Sequence, residues 1–453
     1  MCVAQFVVVL DATIVTTALP VIRSALGFAP AELPWVITAY TLVFGGLLVP
    51  GGRVADLLGP RRAFRLGFVV FVAASVGCAL AWSPAVLVGA RALQGLGAAL
   101  LAPAALALLA LLTDAGPARR RAVSWWTAAA ATGGASGWVL GGLVTEYLGW
   151  RTVFWVNVPV GLIVLAAATR VLPAGIRRRE SRLDVGGALA VTAALGLLVY
   201  GLTSIGEHGP LDVASWAPLL LAVCLSAVLV RHVRRAADPL VPPRLLRSRA
   251  TAGANLTALV LTATTSPAMY LSTLYVQQVL RFSPAQASLL FPVFNVAVIA
   301  GSLAAPELLR RAGPRPSLLA GFAGIGVGAV LLTALPGDGR PIAQILAAFA
   351  MMGAGLGGAS VASTHAGTEF ADPAYQGVAS GVLTSTAQIG TALGLAILTP
   401  LAASAGAASM AGYRTGFVGT CALALAGMAA SLLLPRRSRA AVHPPPAPCP
   451  ADT

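Results

Sequence analysis

Three polar side chains lie inside runs that are otherwise apolar. Asp11 stands in Leu10-Asp11-Ala12-Thr13-Ile14-Val15-Thr16-Thr17-Ala18-Leu19-Pro20, near the middle of a run from Met1 to Ile22. At about 1.5 Å rise per residue such a run can cross a hydrocarbon core of about 30 Å. A carboxylate at that depth costs at least about 2.5 to 3.5 kcal/mol on insertion scales, so its presence points to a function. A carboxyl in that position can take a proton from one side of a membrane and release it on the other. The structural alternative is an Asp held permanently by hydrogen bonds to a neighbouring helix. Arg91, about a third of the way into the fourth run, is the matching cation. It could attract or release the proton by making and breaking a charge pair, or it could snorkel or cap carbonyls. Gln94, one turn further on, offers a donor and an acceptor that could hold Arg91 or touch a substrate. At 100° per residue Asp11 shares a face with Ala4, Val15 and Ala18, opposite Gln5, Thr13 and Thr16. That spacing allows Asp11 to face a packed helix rather than the wall that carries the threonines.

The elements that must position these groups are membrane spans. The 453 residues are 57% hydrophobic and 10% charged, with mean hydropathy +0.84, against roughly 25% charged in an average soluble domain. Fourteen apolar segments are expected, which puts both termini on one side. The net charge of +15 is carried by arginines in short clusters between these segments, as cytoplasmic loops require, so nucleic acid is not an expected partner. With the amino terminus inside, 24 arginines fall in cytoplasmic segments and five outside, namely Arg23, Arg151, Arg281, Arg340 and Arg414. That bias places both termini in the cytoplasm of a multi-pass protein of the bacterial cytoplasmic membrane. The first segment lacks a basic leading region and a cleavage signal, and reads as a retained span. Five cysteines (Cys2, Cys78, Cys224, Cys421, Cys449) share no paired or metal-like spacing, so neither disulfide nor metal is expected.

An internal repeat organises the spans. Phe28, Pro30 and Ala31 recur 254 residues later as Phe282, Pro284 and Ala285, and Gly59-Pro60-Arg61 and Gly67-Phe68 recur as Gly313-Pro314-Arg315 and Gly321-Phe322. Trp150-Arg151-Thr152 with Phe154 is echoed by Tyr413-Arg414-Thr415 with Phe417. The expected architecture is all-α: a six-helix bundle over 1–182, two inserted helices over 183–235, a cytoplasmic linker over 236–250, a second six-helix bundle over 251–435, and a disordered tail over 436–453. Parallel six-helix repeats around a midplane site suit a secondary transporter that works by alternating access.

Four motifs make the chain resemble the major facilitator superfamily, and within it the fourteen-span drug:proton antiporter group. Leu10 to Val15 with Ala18-Leu19-Pro20 is similar to that group's first-span motif, with Thr16-Thr17 where Asn-Val is usual. Gly52-Arg53-Val54-Ala55-Asp56-Leu57-Leu58-Gly59-Pro60-Arg61-Arg62 resembles the loop motif between spans two and three, although Leu57 and Pro60 occupy positions that are usually basic. Arg91 to Ala99 resembles the fourth-span motif. Gly133 to Gly142 resembles the antiporter motif of span five, with Trp138 where Pro is expected. The resemblance implies proton transfer through Asp11 and Arg91, and drug efflux in exchange for protons.

Gly52, Asp56, Gly59 and Arg61 are expected to form a conformational latch. Gly59-Pro60 forces a tight turn, and Asp56 can pair with a basic residue or accept from a helix N-terminus across the bundle. Its repeat counterpart is Arg310, so the acidic latch exists only in the first half. Gly133, Gly137 and Gly141, four apart, make one helix face for close approach, serving either packing or gating. Trp138 is too bulky for that seam and is expected to point to lipid or into the cavity. Besides Gln94, candidate substrate contacts are Tyr270, Tyr275 and Gln277, with Asn295, His365 and Gln388 further along. No second-half span has a deep acid, which suits monovalent, neutral or zwitterionic compounds. There is no phosphate-binding Gly-rich loop with Lys and no nucleophile triad, so neither an enzyme nor a cofactor is expected. The rival readings are a proton-coupled importer of a metabolite and a sensor that keeps the fold without transport.

Overall fold

The computed structural model describes residues 1–113, 117–171, 185–208, 212–235, 249–336, 341–369, 376–406 and 409–434. The expected tail, most of the linker and the 172–184 stretch lie outside these residues. Among the described residues the chain is all helix. In order the helices are α1 (Cys2–Leu26), α2 (Trp35–Leu58), α3 (Pro60–Ala79), α4 (Pro84–Leu112), α5 (Pro117–Leu148), α6 (Thr152–Trp155), α7 (Asn157–Val171), α8 (Val185–His208) and α9 (Val213–Arg235). They continue as α10 (Arg249–Gln278), α11 (Pro284–Ser288), α12 (Phe291–Ala312), α13 (Pro314–Thr333), α14 (Ile342–Glu369), α15 (Gln376–Ser404) and α16 (Met410–Ser431). Ten of the described helices are long and apolar enough to cross a membrane. The segment expected as a single sixth span is broken at Val156 into α6 and α7, and α10 already begins inside the expected linker, at Arg249.

The duplication read from the sequence is visible in three dimensions. Gly59, at φ 84°, and Gly313, at φ 86°, each end one helix and start the next. Both occupy the left-handed region that only glycine enters cheaply, and both precede a proline that starts a helix without wasting an amide donor. At the opposite end, Arg151 Nη2 donates to the Ala81 carbonyl at 3.1 Å, and Arg414 Nη2 donates to the Leu335 carbonyl at 3.0 Å. The two acceptors are themselves 254 residues apart. We refer to the two ends of the bundle as the Gly59 end and, where Gly27, Gly149 and Gly406 lie, the Gly27 end.

Within lipid, helices associate through close packing and small residues rather than by leaving water. The glycine face of α5 shows how. A Cβ at Gly137 would strike Thr13 Oγ1, and one at Gly141 would strike the Ile14 carbonyl and Thr17 Oγ1, so α1 and α5 lie backbone to backbone. Gly353 and Gly357 bring α14 onto α12 in the same way, and Gly390 and Gly394 bring α15 onto α10. The inserted pair stands to one side. Helix α8 packs against α9, and also against α2 and α15. Leu42, Val199, Ala392 and Ala396 form one small apolar cluster there, with Trp35 packed against it.

Candidate functional site

Asp11 is completely buried, and so are Arg91 and Gln94. Helix α1 presents the carboxylate toward α4, where Ser83 caps the first turn by accepting from the Val86 amide and Pro84 starts the helix. Arg91 Nη1 donates to Asp11 Oδ2 at 2.6 Å, an ion pair with no exposure on either side. Asp11 Oδ1 accepts from Gln94 Nε2 at 2.8 Å and from Asn157 Nδ2 at 2.6 Å. Three donors and one opposing charge therefore hold the ionised carboxylate, which is what burying an ion pair requires.

Arg91 is itself held on several sides. Its Nε donates to the Val36 carbonyl at 2.9 Å, Nη1 also reaches Gln94 Oε1 at 2.7 Å, and the guanidinium lies 4.4 Å from the centroid of the Tyr40 ring. Gln94 Nε2 further donates to Ser75 Oγ at 2.8 Å. Five helices thus contribute to one polar cluster: α1, α2, α3, α4 and α7. Two polar atoms of the cluster, Arg91 Nη2 and Asn157 Oδ1, have no hydrogen-bond partner among the described residues. Asn157, Ser75 and Tyr40 were not singled out from the sequence. Asn157 had a signal, an amide in the apolar run after Trp155, but the helix break at Val156 hid its register.

The other sequence-derived candidates are placed as follows. Gln94 belongs to the Asp11 cluster. Tyr270 and Tyr275 are each about 1% exposed, and Tyr275 donates to the Pro336 carbonyl at 3.4 Å. Gln277 Nε2 donates to the Thr17 carbonyl at 3.0 Å, bridging α10 and α1 near the Gly27 end. Asn295 bonds its own helix at Phe291, while His365 is exposed. The Gln388 Cβ lies 2.8 Å from where a Cβ on Gly45 would stand, on the seam between α2 and α15. Of these seven, Tyr270 lines a cavity at the Gly27 end. Trp138, expected toward lipid or cavity, is instead buried and stacks on Phe291 of α12 with centroids 4.2 Å apart.

Asp56 is exposed and makes no hydrogen bond or ion pair among the described residues. Gly59 shapes the adjoining turn, Gly52 lies in open contact with the Pro103 side chain, and Arg61 is half-buried. The repeat counterpart Arg310 and its neighbour Arg311 both pair with Glu307 on the exposed surface of α12.

At the Gly27 end the two halves are closed on each other. Gly142 lets the backbone of α11 approach so closely that a Cβ there would strike the Pro284 carbonyl and Ser288. One turn on, in the last turn of α5, Glu146 Oε2 accepts from the Ala285 amide at 2.8 Å. The Ser283 hydroxyl first, and that amide second, hold the Glu146 carboxyl below the usual carboxylate range. Because the ionised form makes the contact, it is complete above the ordinary carboxylate range and is lost as pH falls through the lowered value. Glu146→Gln should therefore loosen this closure at neutral pH. Spin labels at the exposed Leu148 and Leu289 should gain a longer distance population in the variant; identical distributions would remove Glu146 from the closure.

A family model described as Major Facilitator Superfamily matches residues 1–395. The chain is 43% identical over 451 residues to the cephamycin export protein CmcT of Amycolatopsis lactamdurans, covering 97% of this chain and 92% of that protein. It is 38% identical to the puromycin resistance protein pur8 of Streptomyces alboniger, covering 91% and 82%. Among solved structures, a D-xylose-proton symporter superposes with TM-score 0.67 at 14% identity, covering 96% of each chain. At that identity the superposition speaks for the fold alone.

Proposed function

Because the chain belongs to the Major Facilitator Superfamily, a family of membrane transporters rather than enzymes, we propose that it exports an amphipathic small molecule from the bacterial cytoplasm in exchange for protons. Relatives named for cephamycin export and puromycin resistance support the direction and the substrate class. The arginine bias supports cytoplasmic termini, so that the Gly59 end faces inward and the Gly27 end outward. Fourteen spans, as six, two and six, remain the reading of the whole chain. The observation that carries proton coupling is the buried Asp11 cluster.

Protonation of Asp11 removes the charge to which Arg91 is matched and turns one oxygen from acceptor to donor. Arg91, a donor only, cannot follow that change. Asn157 can: its side-chain carbonyl has no other partner among the described residues, and a half-turn of the amide replaces N–H donation to Asp11 with acceptance of the carboxyl O–H. Asn157 thus suits both protonation states, while Arg91 suits one and is released in the other. Since Asp11 has no exposure, the proton and the substrate need not share a site. Release of Arg91 from α1 would couple them by shifting α4 against α1 and α2. The membrane potential contributes about 2.3 kcal/mol per charge per 100 mV to drive the cycle.

Everted membrane vesicles carrying the wild-type protein and an imposed acid-inside gradient test this reading. A panel of lipophilic cations, carboxylate antibiotics and neutral antibiotics should contain compounds that dissipate the gradient. Whole cells that accumulate those compounds instead of excluding them would reverse the direction. In the same assay Asn157→Leu should slow exchange about tenfold, the equivalent of one hydrogen bond of about 1.4 kcal/mol. Asn157→Ser, which both donates and accepts, should retain more; a leucine variant as fast as wild type would take the amide out of the mechanism.

A further inference from the structure

The positive-inside bias makes each outward arginine a departure that needs a cause. Arg151 and Arg414 have one, since each holds the carbonyl that follows a helix end. Arg23, in the last turn of α1, is different: its guanidinium makes no hydrogen bond or ion pair among the described residues. It lines a small, open cavity at the Gly27 end between the halves. Pro30 and Leu33 join it from the first half, and Tyr270, Thr399 and Tyr413 face them from the second. The Tyr270 hydroxyl and Thr399 Oγ1 are buried and likewise have no partner among the described residues. Tyr270 is about 1% exposed and Thr399 8%. A buried hydroxyl without a partner costs free energy that no contact among the described residues returns.

We propose that this cavity is a binding site for the acidic group of an amphipathic organic anion, at the outer mouth of the transport path. One cation and two hydroxyl donors converge from both halves on a lining that is otherwise mostly apolar. That combination fits a carboxylate attached to a ring or short hydrocarbon better than a small inorganic ion, which would leave the apolar walls unused. The lining is shared between halves that move apart when the protein opens outward, so the site is complete only while this end is closed. A solute carboxylate held there would be released by the same motion that opens the path. The site goes beyond the export reading and does not require Asp11 to be the coupling group.

Purified full-length protein tests the proposal directly, by thermal unfolding in detergent with benzoate, methyl benzoate or inorganic phosphate added. Benzoate should raise the Tm in a saturable way, and the uncharged ester should not. Arg23→Gln and Tyr270→Phe remove only groups that have no partner among the described residues, so both should fold with the Tm of the wild type. Each should weaken benzoate binding, about tenfold or more for Arg23→Gln and several-fold for Tyr270→Phe. Equal protection by ester and acid, or benzoate binding unaffected in Arg23→Gln, would overturn the site. Phosphate protecting as well as benzoate would also overturn it, by assigning the cavity to simple anions or lipid headgroups. None of these outcomes depends on proton exchange, so they are separable from failure of the antiport reading.

Discussion

Asp11→Asn is expected to abolish proton-coupled exchange in everted vesicles while the protein still inserts and folds. The substitution preserves shape and replaces one acceptor oxygen with an amide that cannot titrate. Its cost in stability is substantial, because Arg91 is left as an unpaired cation with no exposure. Removing one partner of a buried pair typically costs about 3 to 5 kcal/mol. A second variant separates that cost from the loss of function. Asp11→Asn combined with Arg91→Gln removes both charges and should recover much of the lost Tm, since a neutral hydrogen-bonded pair carries no uncompensated charge. Exchange should stay absent. If Asp11→Asn retained gradient-driven transport of any compound that the wild type moves, the carboxylate would be a structural fixture and another group would carry the proton.

The second large effect is expected at Gly137. A Cβ there would overlap Thr13 Oγ1 and stand 3.0 Å from the Leu10 carbonyl, on the stretch of α1 that carries Asp11. Gly137→Leu therefore has to push α1 off α5, since neither backbone can yield within a helix. Overpacking of this kind costs about 1 to 3 kcal/mol in a core, and more where the obstacle is main chain. Low folded yield and no transport are expected. Gly134, three residues earlier, provides the control: a Cβ there meets only the Val9 Cγ1 atom at 3.5 Å, an ordinary contact. Gly134→Ala should match the wild type in yield, Tm and exchange. Equal behaviour of the two variants would mean that α5 and α1 do not keep their close contact through the cycle.

The sequence made the Asp11 and Arg91 pair legible because a charge inside an apolar run needs no structure to be noticed. It also placed Asp11 on the side of α1 away from Gln5 and Thr13, and the structure has Ala4, Val15 and Ala18 buried with it. What periodicity could not supply was the identity of the third partner. Asn157 comes from a helix that restarts after a break, so its face could not be projected from Trp150. Glu146 was hidden for a different reason. It lies at a helix end where acidic residues are common, and only the approach of α11, permitted by Gly142, gives it amide and hydroxyl donors. Trp138 stands off the glycine seam, as its bulk requires, but it is buried rather than turned to lipid. Besides α1 on its glycine face, α5 packs on α11 and α12 of the second half, and the indole lies against Phe291 there. The polar candidates for a substrate cavity were chosen by residue type, which leaves open whether a side chain lines a cavity, as Tyr270 does, or bonds its own helix, as Asn295 does.

The contacts of α8 on both α2 and α15 bear on how the two halves can move. A strip of wall shared along one flank acts as a pivot, and rotation about a pivot gives displacement in proportion to distance from it. The flank where α5 meets α11 and α12 is then the far rim, and it must sweep the larger arc. Trp138 on Phe291 and Glu146 on Ala285 are accordingly the contacts that should part first, whereas Leu42 and Ala392 can keep their neighbours throughout.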